Sequence, residues 1–96
     1  MLVKTFLLNN KVGLYTKPST VLSETASRYV SDIQIEYNGR SVDAKSIMGV
    51  LSLAVPSGKE VIVRIAGEDD RMAMEEIKKL FETEFVEITE SALCES

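Results

Sequence analysis

Two short stretches set reactive side chains where a helix would begin. The first, GLYTKPST, runs from Gly13 to Thr20 and carries Tyr15 and Lys17 ahead of Pro18. Proline has no N–H to donate, so Pro18 fits the first turn of a helix that starts between about Tyr15 and Lys17. Unpaired N–H groups and the positive end of the helix dipole attract anions there, and Lys17 adds a cation. Tyr15 is then either a phenolic donor to such an anion or a surface aromatic. The second stretch, AKSIMGVLSLA, runs from Ala44 to Ala54. Ser46 is a good N-cap for a short helix, with Lys45 beside it. A phosphate on Ser46 would bring about −2 of charge to this start, where Lys45 and the free N–H groups could hold it. Ile47, Met48, Gly49 and Leu51 would then offer an adaptable apolar contact to a partner, with Lys17 on its polar rim. The plainer alternative is that Ser46 only caps the helix and Met48 fills the core.

What is missing narrows the chemistry. The sequence has no histidine. That removes imidazole catalysis, phosphohistidine chemistry and most zinc sites, and with them any Ser-His-Asp or Cys-His arrangement. No Walker-type glycine loop occurs. The single cysteine, Cys94, forms no internal disulfide and no CxxC pair, and reads as a free thiol. The expectation is a protein that is not an enzyme and needs no metal or cofactor.

Charge is uneven along the chain. Residues 1–67 hold eight bases and five acids, a balance of +3, and residues 68–96 hold three bases and ten acids, a balance of −7. The basic part is too sparse for a nucleic-acid footprint. The acidic part reads as a solvated helix face, with Glu75, Glu76 and Glu82 on it, followed by a solubilising tail. No apolar run approaches the roughly 18–20 residues of a membrane span, and no signal peptide is visible. The expected location is the cytoplasm.

The elements that would position these stretches follow from periodicity. With 96 residues, 45% of them hydrophobic and 27% charged, the chain suits one soluble domain. Leu2 to Leu8 is apolar on both alternations and predicts a largely buried strand, broken by Asn9, Asn10 and Gly13. Val21, Leu22, Thr25, Ala26 and Tyr29 fall on one helix face, and that helix should end near Val30. Ile33, Ile35 and Tyr37 alternate with polar residues, Asn38-Gly39 supplies a type I′ turn, and Arg40 to Asp43 returns with Val42 inward. The short helix after Ser46 leads to a Pro56-Ser57-Gly58 turn and a strand through Val61, Val63 and Ile65. Asp69 or Asp70 should cap a last helix whose apolar face is Ala73, Ile77, Leu80 and Phe81. The order β-α-β-β-α-β-α suits an α+β layer, with helices on one face of an open antiparallel sheet. Its free edge leaves room for a strand-exchanged homodimer.

The two helix starts, in this element order, resemble the HPr family, the small phosphocarriers of the bacterial sugar phosphotransferase system and their regulatory relatives. The resemblance covers about residues 2–86 and implies an open-faced β-sandwich: a four-stranded antiparallel sheet with three helices on one side. AKSIMGVLSLAVPSGKEV is close to the regulatory serine segment of that family. GLYTKPST matches the active-site stretch in frame, with Gly13, Leu14 and Pro18 kept. That stretch usually runs Gly-Leu-His-Ala-Arg-Pro-Ala, so Tyr15 stands at the histidine position and Lys17 at the arginine. A phosphate on imidazole is a reactive donor, whereas a tyrosine phosphate is a stable ester, and lysine lacks the planar two-pronged grip of arginine. The resemblance therefore implies no phosphorelay here. It implies instead modification of Ser46 by an HPr kinase/phosphorylase, and binding of the modified form to a LacI-type catabolite control regulator as a corepressor. Members that lack the histidine and keep the serine are the catabolite-repression HPr-like (Crh) proteins, and the sequence looks like that type. The domain would span residues 1–87, with 88–96 an acidic, disordered tail.

Overall fold

The computed structural model describes residues 1–8 and 13–84. Asn9, Asn10, the acidic stretch 88–96 and Cys94 lie outside the described residues. Strand β1 (Leu2–Leu7) leads to helix α1 (Thr16–Ser27). The hairpin β2 (Asp32–Tyr37) and β3 (Arg40–Asp43) follows. Then come the short helix α2 (Ile47–Ser52), strand β4 (Glu60–Ala66) and helix α3 (Asp70–Lys79), which a π-helical turn extends over Leu80–Glu84. The four strands form one antiparallel sheet in the order β1-β4-β2-β3. This is the α+β arrangement that the periodicity implies.

Alternation decides what is buried. In β2 and β4, Ile33, Ile35, Val61, Val63 and Ile65 point to the helices and are fully buried. Each contributes roughly 1.5–3 kcal/mol relative to exposure. Their neighbours Gln34, Glu36 and Arg64 point to the open face, where Arg64 pairs with Glu36 across the strands. The hairpin tip has the positive backbone angles of a type I′ turn, φ 54° at Asn38 and 82° at Gly39.

Strand β1 departs from its expected burial. Of its six residues only Phe6 is buried, while Val3 and Leu7 are exposed. The reason is topological: β1 is an edge strand and the helices cover one face of the sheet, so apolar residues on its other alternation face outward. Phe6 stacks on Phe81 with ring centroids 4.9 Å apart, which ties β1 to the end of α3. Helix α1 also stops before Val30, with Arg28 as its C-cap and Tyr29 N–H bonded back to Ala26.

Asp69 occupies the N-cap position of α3 but does not cap it. Its carboxylate instead accepts hydrogen bonds from the N–H groups of Val30 and Ser31, at 2.9 and 3.0 Å, and from the Ser31 hydroxyl at 2.5 Å. It thereby ties the α1–β2 connection to the start of α3. A Cβ on Gly67 would lie 2.5 Å from Ser31 Oγ, so a side chain at Gly67 would disrupt this junction.

The hydrogen bond from Ser31, helped by the two backbone N–H groups, holds the Asp69 carboxyl below its ordinary range. A lowered folded-state pKa means that its stabilisation is present above the usual carboxylate range and is lost as pH falls through the folded value. Asp69→Asn should therefore unfold at lower urea concentration than the parent at neutral pH. The gap should narrow as both are titrated to about pH 2, as followed by circular dichroism.

Candidate functional site

Gly13 anchors the first helix start. It adopts φ 82°, and a Cβ there would sit 2.4 Å from the Val55 carbonyl oxygen and 3.0 Å from the Ser57 nitrogen. Glycine is needed on both counts. The next residue, Leu14, is buried and donates its N–H to that same Val55 carbonyl at 2.8 Å. Tyr15 takes the N-cap position with no side-chain cap bond, and the residue is 42% exposed. Thr16 and Lys17 therefore keep first-turn N–H groups without a partner among the described residues. Pro18 is buried in that turn. The structure thus has the helix start read from GLYTKPST, with Tyr15 exposed at its mouth.

At the second start, Ser46 has extended backbone (φ −99°, ψ 113°) and its Oγ accepts the Gly49 N–H at 3.1 Å. A Cβ on Gly49 would come within 3.3 Å of that hydroxyl, so glycine gives the cap its room. Ile47 and Met48 keep N–H groups without a partner among the described residues. Met48 is 76% exposed, so it is not core, and Ile47 is exposed beside it. Leu51 is half-buried and Val50 is the buried anchor of the helix. Helix α2 is only six residues long, so its dipole is small and the local N–H groups carry any attraction for an anion.

Two expected features fall elsewhere. Lys45 does not lean over the Ser46 hydroxyl. Its ammonium donates to the Tyr29 carbonyl at 2.8 Å, its carbonyl accepts the Ser23 hydroxyl at 2.6 Å, and its N–H reaches Asp43 Oδ1 at 2.9 Å. Lys45 is therefore a clamp between α1 and the α2 start. The Tyr29 phenol is no counter-charge for it, since burial, with the Glu76 carboxylate nearby, pushes that phenol up.

Lys17 is also apart from Ser46. The start of α1 is strapped to Val55, beyond the end of α2, whereas Ser23 holds Lys45, just before the beginning of α2. The two helices thus run in opposite senses, and Tyr15 and Ser23 are about 12 Å apart along α1 at 1.5 Å per residue. The helix starts form two separate positions rather than a single cradle. Sequence reading also missed Arg40, whose Nη1 donates to the Ser52 carbonyl at 3.1 Å at the end of α2. A cation near a helix C-terminus was the signal available for it. Among the described residues no group of acidic, cysteine or histidine side chains could hold a metal.

The chain matches the family model described as "PTS HPr component phosphorylation site" over residues 2–83. The chain belongs to the HPr family. It is 42% identical over 89 residues to the phosphocarrier protein HPr of Xylella fastidiosa, covering 93% of this chain and all of that one. Its backbone superposes on HPr from Thermoanaerobacter tengcongensis with a TM-score of 0.85 at 36% identity, over 88% of this chain and 96% of that one. Crh of Bacillus subtilis, described as a domain-swapped intertwined dimer, matches with a TM-score of 0.68 at 36% identity, over 85% and 94%. The four-stranded, three-helix HPr fold is therefore shared.

Gly13→Ala tests how far the first start depends on its strap. The added methyl must move the Val55–Ser57 backbone, and φ 82° itself costs a non-glycine residue roughly 1–2 kcal/mol. The variant should lose about 2 kcal/mol or more in urea unfolding and shift the amide resonances of Leu14 and Val55 most.

Proposed function

We propose that this chain is a regulatory HPr-family protein without phosphocarrier activity. In this reading it acts in the cytoplasm, HPr kinase/phosphorylase phosphorylates it at Ser46, and the modified form serves as corepressor of a LacI-type catabolite control regulator. It is thus of the Crh type and not an enzyme. One observation carries the reading: the sequence has no histidine, and Tyr15 holds the α1 N-cap position where a phosphocarrier of this family needs one. Ser46 is exposed at its own helix start, with Ile47 and Met48 exposed alongside. Those apolar side chains suit a protein partner better than a small ligand. The carried-over role of Lys45 changes: it orients the serine by clamping α1 to α2, and the first-turn N–H groups of Ile47 and Met48 are the donors at hand for a phosphate. The solved dimers of the B. subtilis Crh and T. tengcongensis HPr support a homodimer as one assembly of this chain.

A second reading has its own support. The Ser46 hydroxyl is already engaged by Gly49 N–H, and the Lys45 ammonium by Tyr29. These contacts favour an adaptor that uses the same apolar face and is never phosphorylated.

Incubation with HPr kinase/phosphorylase and ATP separates the two. The first reading expects one phosphate, mapped to Ser46 by mass spectrometry and absent in Ser46→Ala. No incorporation, with an ordinary HPr labelled in parallel, would sink it. Ser46→Ala also removes the helix cap at a cost of about 1 kcal/mol, so its fold should be checked by circular dichroism.

Phosphoenolpyruvate with the upstream phosphotransferase enzyme should leave the parent unlabelled. Tyr15→His combined with Lys17→Arg should give acid-labile label, since the helix start itself is intact. Label on the parent would overturn the loss of carrier activity.

A further inference from the structure

Strand β1 lies at one edge of the sheet, and its pairing shows which backbone groups that edge offers. Leu8 donates its N–H to the Lys59 carbonyl at 2.9 Å, and β1 continues that antiparallel register on β4 from Leu7 opposite Glu60 to Leu2 opposite Ile65. Hydrogen-bonded pairs alternate in such a ladder, so Leu2, Lys4 and Phe6 direct their backbone groups to β4. The N–H and C=O groups of Val3, Thr5 and Leu7 point outward, where no further strand pairs with them among the described residues.

Beside this edge a groove of about 300 Å³ runs between β1 and α3. Leu2 and Met74 are its apolar residues on the helix side, and Lys4, Arg71 and Lys78 stand exposed along it with Glu75 as the one acid. The three cations have no hydrogen bond or ion pair among the described residues. The groove carries a balance of +2 in a chain whose balance is −4. None of its residues belongs to either helix start.

We propose that the β1 edge and this groove dock an acidic segment of a partner protein, added to the sheet as an extended fifth strand. The outward N–H and C=O groups call for a backbone partner, which a strand supplies and a small anion does not. Lys4 lies opposite the buried Val63, so its side chain is on the helix side of the sheet. Alternate side chains of an added strand project beside it into the groove. Acids at those positions meet Lys4, Arg71 and Lys78. A slip of one residue would turn the acids to the open face, where Arg64 already pairs with Glu36, so the register is specified. Charge also selects against a second copy: two β1 edges paired about a two-fold axis would set two +2 grooves against each other. A dimer that exchanges β1 would rebuild the same outer edge and does not compete.

The probe is the peptide Thr-Glu-Val-Glu-Val-Glu-Thr, which carries its acids on one alternation. It is titrated into the isotope-labelled 96-residue chain and followed by amide NMR. At millimolar peptide the amides of Val3, Thr5 and Leu7 should shift and their exchange with solvent should slow, while Asn38 and Gly39 at the hairpin tip stay unchanged. Lys4→Gln with Lys78→Gln, both exposed and unpaired positions, should weaken binding about fivefold. Replacing every glutamate of the peptide by lysine should abolish binding with the protein unaltered. No slowing of exchange at Val3, Thr5 and Leu7, or equal binding of the lysine peptide, would overturn the proposal. So would free glutamate that reproduces the shifts, because the site would then take a small anion. Slow exchange at the same three amides that appears without peptide and grows with protein concentration would also overturn it, since a second copy would then hold the edge.

Discussion

A sheet covered by helices on one face only must divide its residues by alternation, and that constraint organises the rest of the molecule. Ile33, Ile35, Val61, Val63 and Ile65 make a continuous apolar layer on which all three helices settle. Because the helices share that layer, the connections that enter them are brought onto a common surface. Tyr15 and Ser46 owe their positions to this layer through Leu14, Leu22 and Val50, which are buried beneath them. The other face of the sheet is free to carry an ion pair such as Arg64–Glu36 and exposed apolar residues such as Val3 and Leu7.

On that layer, two polar junctions fix the helices against one another. Lys45 joins the end of α1 to the beginning of α2 through its ammonium and its carbonyl, while its N–H is held by Asp43 at the end of β3. Asp69 joins the α1–β2 connection to the beginning of α3. Both act on backbone groups of the connection that follows α1: the Tyr29 carbonyl and the Val30 and Ser31 N–H groups. The surface that presents Ser46 is thus held by residues that do not touch its hydroxyl.

Features set by nearby residues were legible in the sequence. Asn38-Gly39 specifies its turn through two adjacent residues, Ser46 caps a helix three residues on, and the α3 face repeats within one element. The missing histidine was also legible, and it decides most about chemistry. What could not be read depends on residues far apart in the chain. The exposure of Val3 and Leu7 follows from β1 lying at the sheet edge. The Lys45 clamp needs Tyr29, sixteen residues away, and the Asp69 junction needs Ser31, thirty-eight away. In both cases the side chain's charge pointed to a local role, while the backbone group it serves belongs to another element.

The bond from Gly49 N–H to Ser46 Oγ couples that exposed hydroxyl to the start of helix α2. A reagent that takes the oxygen's lone pair displaces the cap of a six-residue helix and leaves another first-turn N–H unpaired. Loss of that bond would therefore link reaction at Ser46 to fraying of α2. Val50, Arg40 on the Ser52 carbonyl and the Lys45 clamp all bear on it without meeting the reagent. Side chains remote from the hydroxyl thus tune how often it is offered.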